Sequence, residues 1–199
     1  MTTLDTPPEE AVTESHGEYH QDMSFQPQAN RIGLWLFIVS ETFLFGAFLS
    51  ARWFSTGTLK PEELNQALAL LLTIVLLVSS ISAYLAETSI KYNHRRNFVI
   101  FMVITMVMGL IFLGGVGIEI KEAIHAYPPE TPYGSSYFML IGLHAFHVVT
   151  GLVALAMVLV LGLRGHFGSS EYWGVEGVVK YWHFVDLAWV IIYPTLYLF

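Results

Sequence analysis

Cysteine is absent from the 199 residues. That excludes disulfides, thiolate metal sites, a covalent CxxCH haem attachment and any copper or iron–sulfur centre that needs Cys. Charge is also scarce: Asp, Glu, Lys and Arg make up 13% of the chain, against 54% hydrophobic residues. An ordinary soluble domain needs more charge than this, and long uncharged runs point to a membrane protein. No internal repeat is visible, which weighs against repeat-built transporter folds. The net charge of −7 comes largely from the N-terminal tail, where Asp5, Glu9, Glu10, Glu14, Glu18 and Asp22 precede Arg31. Such a balance argues against nucleic acid as a partner. The tail also lacks the short apolar core and cleavage site of a secretory signal.

What is present is a set of apolar segments. A helix needs ~20 mostly apolar residues to cross a bilayer core. Five segments qualify: Arg31 to Phe54, Gln66 to Glu87, Phe98 to Ile118, Tyr137 to Leu163 and Val178 to Phe199. The expected fold is all-α, an integral-membrane bundle of five transmembrane helices (31–199) behind a flexible acidic tail (1–30). Five spans put the termini on opposite faces. The face shared by the tail and the second and fourth loops holds Arg31, Lys91, Arg95, Arg96, Arg164 and Lys180; the other holds Arg52, Lys60 and Lys121. A bias of six to three predicts a cytoplasmic N-terminus and an outer C-terminus.

Polar residues inside the spans carry the functional information, because each is costly there and needs protein, water or a partner. Glu41 interrupts "LWLFIVSETFLFGAFLS" ~15 Å past Arg31, near the bilayer midplane. It reads either as a structural carboxyl bonded to a neighbouring helix or as a proton or gating site. His144 and His147 in "GLHAFHVVTG" are three apart on one face and sit at a similar depth, so a Glu41–His contact across two helices is expected. A metal site needs more ligands than this pair supplies. On the last span His183, Asp186, Trp189 and Tyr193 follow one another at spacings of three and four. This polar stripe suits a protein-facing surface, and Tyr197 beyond it suits a membrane-interface anchor. Gly109, Gly114, Gly115 and Gly117 on the third span allow close helix approach. Glu119 falls near its outer end.

Four stretches together, "SETFLFGAF", "GLIFLGGVGIE", "GLHAFHVVTG" and "YWHFVDLAWVIIYPTLY", resemble subunit III of the haem–copper terminal oxidases, the cytochrome c and quinol oxidases. They stand in the family's order and cover nearly all of the membrane part. The resemblance is to the short, five-helix bacterial form. The sequence departs from the family pattern in two places: Val116 stands where a Gln is frequent, and Ile141, Leu143 and Ala145 differ from the usual Thr-Gly-Phe-His-Gly, in which Gly142 and His144 are kept.

The resemblance implies a plasma-membrane subunit of a proton-pumping oxidase, without haem or copper of its own. Those cofactors are expected in partner subunits, and phospholipid is a further candidate ligand. The chain would pack on subunit I, lie in one complex with subunit II, and support proton uptake during oxygen reduction. The electron donor, cytochrome c or quinol, would bind elsewhere. The family's carbodiimide-reactive glutamate matches Glu41, and its hydrogen-bonding histidine matches His144. His183 and Asp186 match the last-helix motif, with the stripe read as a subunit interface. Competing readings are a stand-alone membrane proton or ion pathway, a membrane metalloenzyme, and an accessory subunit related to nitric oxide reductase.

Overall fold

The structure is a computed structural model, and it describes residues 26–57, 66–168 and 172–198. Five helices account for nearly all of them: α1 (Gln26–Thr56), α2 (Gln66–Lys91), α3 (Arg95–Ala126), α4 (Pro132–Leu163) and α5 (Trp173–Tyr197). No strand occurs among the described residues. The expected all-α bundle is what forms. The helices overrun the apolar segments at most ends, because helical hydrogen bonding continues past the last apolar residue. Thus Gln26 to Asn30, read from sequence as tail, belong to α1. The earlier tail residues, and residues 58–65 of the first loop, lie outside the described residues.

Helices α1 to α4 are long and apolar enough to cross a membrane on composition alone. The 25-residue α5 is long enough, but its Trp and Tyr residues with Lys180, His183 and Asp186 dilute its hydropathy. It still runs the depth of the bundle. One end places Glu176 against Arg31 of α1, and the other places Tyr197 against Tyr137 of α4.

Contacts run α2–α3, α3–α4, α4–α5 and α5–α2, so these four helices close a ring. Helix α1 lies outside it, along α4 and α5. Lipid is as apolar as Leu, so close packing and polar contacts hold such helices together. The ring is filled by large rings: Trp182, Trp189, Phe112, Phe98 and Tyr137 are all buried. Trp182 needs glycine on both flanks. A Cβ at Gly109 of α3 would come within 2.8 Å of its indole, and one at Gly151 of α4 within 2.9 Å. Of the other expected packing glycines, Gly115 meets Leu72 of α2, while Gly114 and Gly117 have no atom within 4 Å of an added Cβ. Half of the glycine run therefore serves contacts inside the chain.

The ends of the helices follow from local chemistry. Asn93 takes φ 61° in the tight α2–α3 turn, and His94 N–H closes it on Ser89 O at 2.8 Å. At the start of α4, Pro132 follows the N-cap Thr131, whose Oγ1 accepts from Gly134 N–H at 3.0 Å; a hydroxyl there satisfies one of the orphan amides of the first turn. Gly165 ends α4 with φ +81°.

Candidate functional site

Glu41 and the two histidines of α4 are brought to the α1–α4 contact, but not in the pairing expected. His147 Nε2 lies 3.0 Å from Glu41 Oε2. His144, the expected partner, points elsewhere. Residues three apart on a helix differ by about 60° in direction, enough to send His147 toward α1 and His144 into the ring. There His144 is 1% exposed. It packs edge-on against Phe112 and 4.9 Å from the Trp189 ring, with no hydrogen bond to either nitrogen.

The second nitrogen of His147 fixes the chemistry of the pair. Nδ1 is 2.8 Å from Leu143 O. A carbonyl can only accept, so Nδ1 carries a proton. A single proton is then shared between Nε2 and the Glu41 carboxyl. With it on the carboxyl both groups are neutral; with it on Nε2 they form an ion pair of zero net charge. Either state suits a low-dielectric site better than a lone carboxylate. Phe45 stacks obliquely on the His147 ring at 5.0 Å. On the outside the pair floors a groove of about 490 Å³, lined by Phe37, Leu44, Leu143, Phe146, Thr150 and Tyr181. Thr150 Oγ1 and Tyr181 OH are 2.8 Å apart at its edge.

The α5 stripe also differs from expectation. Trp189 and Asp186 are buried within the chain itself, so they cannot belong to an outer subunit interface; His183 and Tyr193 are half-buried. The reason is a row of small hydroxyls on α2. Trp182 Nε1 donates to Ser79 Oγ at 3.0 Å, and Trp189 Nε1 donates to Thr73 Oγ1 at 3.0 Å. Ser80 Oγ lies 2.5 Å from His183 Nδ1. Sequence reading missed these α2 residues, although Thr73 and the "VSSIS" stretch are polar breaks in that span's apolar run. Asp186, 3% exposed, has no hydrogen-bond partner for either oxygen.

Toward the end carrying Tyr197, Glu119 is buried inside the bundle. Tyr197 donates to its Oε1, and Tyr137 OH is 3.4 Å from Tyr197 OH. Tyr197 is thus a core residue, not an interface anchor. Close by, Arg52 is fully buried, donating to Thr56 Oγ1 at 2.7 Å and stacking over Tyr133. At the opposite end Glu176 accepts from Lys180 and from Arg31 (3.4 Å). Burial pushes its carboxyl up, but the Lys180 hydrogen bond and charge, with Arg31 adding to them, outweigh that and hold it below the usual range. Among the described residues, no three His, Asp or Glu side chains come together as a metal-binding group.

Comparison with known proteins places the whole arrangement. The family model described as cytochrome c oxidase subunit III matches residues 9–199. The chain is 33% identical over 202 residues to the cytochrome c oxidase subunit 3 of Pongo abelii, covering 94% of this chain and 76% of that one. It is 34% identical over 179 residues to that of Dasypus novemcinctus and over 183 residues to that of Gadus morhua, each alignment covering 84% of this chain and 68% of the relative.

Proposed function

The chain belongs to the cytochrome c oxidase subunit III family, and from that premise we propose that it is the supporting third subunit of a proton-pumping terminal oxidase. It carries no redox centre, packs on catalytic subunit I within a complex that includes subunit II, and stabilises that subunit during sustained proton uptake. The haem and copper of the reaction sit in the partners. The end bearing Arg31, Lys91, Arg95 and Arg96 faces the cytoplasm, where protons are taken up.

The observation that carries this reading is the Glu41–His147 contact. The family's intramembrane carboxyl is directed at a histidine of the same chain and holds α1 onto the ring. Two of the four residues of the α5 stripe, His183 and Trp189, likewise bond α2, as does Trp182 beside them. These polar side chains tie one helix to another, as suits a stabilising subunit. Half-buried His183 and Tyr193 are the members of the stripe still available to a partner.

Affinity purification of the tagged chain in mild detergent tests the proposal. Copurification of a complex with a haem reduced-minus-oxidised spectrum is expected. Recovery of the chain alone and spectrally silent would reject it. Loss of this chain from that complex should shorten the number of turnovers before subunit I inactivates, with the initial rate changed little.

A further inference from the structure

Along the α2–α5 seam, groups able to carry a proton recur at intervals of one or two helical turns. At the bundle end that holds Arg31, Glu87 of α2 stands in the field of Glu176 and Lys180 of α5. Two turns inward, Ser80 Oγ and His183 Nδ1 are 2.5 Å apart, and both side chains are only half-buried. One turn further, the Asp186 carboxyl is buried, and Ser80 is the polar group facing it. With the ring proton of His183 on Nδ1, Ser80 Oγ accepts from it and its own hydroxyl hydrogen is free to turn toward Asp186, whose oxygens have no aligned hydrogen bond. Asp186 lies about 15 Å along α5 from Glu176.

Helix packing does not account for Asp186. The α2–α5 seam is already tied by Trp182–Ser79 and Trp189–Thr73, and a carboxyl without hydrogen bonds weakens a bundle core. Elsewhere on this stretch of α5 the contacts are aromatic, Phe184 against Phe45 of α1 and Trp189 against Phe112 of α3. The imidazole of His144, from α4, packs on that same Trp189 ring. The charged groups of the seam all lie toward the Glu87 end.

We infer that Asp186 is a proton-exchange site, loaded from the Glu87, Glu176 and Lys180 end through the Ser80–His183 pair. His183 takes a proton on Nε2 and releases its Nδ1 proton to Ser80 Oγ. Ser80 in the same step passes its own hydroxyl proton to the Asp186 carboxylate. The Oγ–H bond is re-formed, His183 is left neutral with its proton on Nε2, and Asp186 is neutral. No electrons move, and the reverse sequence unloads the site. This exchange is a property of the chain and stands apart from the assembly role proposed above.

Infrared spectroscopy of the full-length chain in lipid nanodiscs, switched from H2O to D2O, tests it. A carboxylic C=O band that shifts in D2O is expected, lost in Asp186→Asn and moved in Asp186→Glu. Ser80→Ala should slow the shift about a hundredfold, the effect of removing one proton-transfer group. Ser80→Thr, which keeps the hydroxyl, should restore it. Exchange in Ser80→Ala as fast as in the parent, or a band insensitive to both Asp186 variants, would overturn the inference.

Discussion

Glu41 of α1 and His147 of α4 share one proton across 3.0 Å, because the other nitrogen of His147 is committed to Leu143 O. The consequence is a defined difference between two substitutions. Glu41→Gln retains a donor toward Nε2 and should unfold as the parent does. Glu41→Leu leaves Nε2 unpaired at the α1–α4 contact and should cost ~1–2 kcal/mol. Thermal unfolding in detergent compares them. In a double-mutant cycle with His147→Leu, a coupling near ~0.6 kcal/mol, as found for intramembrane hydrogen bonds, is expected. Additive losses would refute the pairing.

His144 and His147 should respond oppositely to the same change. His144→Phe removes two unsatisfied nitrogens from an aromatic stack with Phe112 and Trp189, so the melting temperature should hold or rise. His147→Phe strips Glu41 of its partner and should lower stability by ~1–3 kcal/mol. Circular-dichroism melts of the two variants side by side decide the matter.

Gly109 and Gly114 lie five residues apart on α3 yet face different surroundings. Gly109→Ala drives a methyl into Trp182 and should destabilise by ~1–3 kcal/mol. Gly114→Ala meets nothing and should stabilise α3 by up to ~1 kcal/mol through helix propensity. Equal effects in thermal melts would mean that α3 and α5 are not this close.

Glu176 gives the bundle an acid-sensitive tie. Although burial opposes ionisation, Lys180 and Arg31 hold its pKa below the ordinary 4.5. A lowered folded-state pKa makes a contribution that is complete above about pH 4.5 and is lost as pH falls through the folded value. Stability measured from pH 7 down to pH 3 should therefore drop below about pH 4.5 in the parent. In Glu176→Gln that part of the drop should be missing.

Much of this protein is written in its one-dimensional pattern. Apolar runs of about twenty residues in an almost uncharged chain leave helices as the only way to satisfy every backbone group in a bilayer. Helix number, type and order follow from that, and the ordered motifs identify the family. The depth of Glu41 relative to the histidines also follows, since rise per residue is constant.

Azimuth was a different matter. His144 and His147 share depth and nominal face, and only the placement of α1 on the α4–α5 edge decides which one meets Glu41. Sequence likewise marks Asp186, Trp189 and Tyr197 as a stripe without saying whether it looks outward. The hydroxyls of Thr73, Ser79 and Ser80, more than 100 residues away in the chain, turn it toward α2. Periodicity fixes what lies along a helix axis. Rotation about that axis is set by which neighbours it packs against, and that is a property of the assembled ring alone.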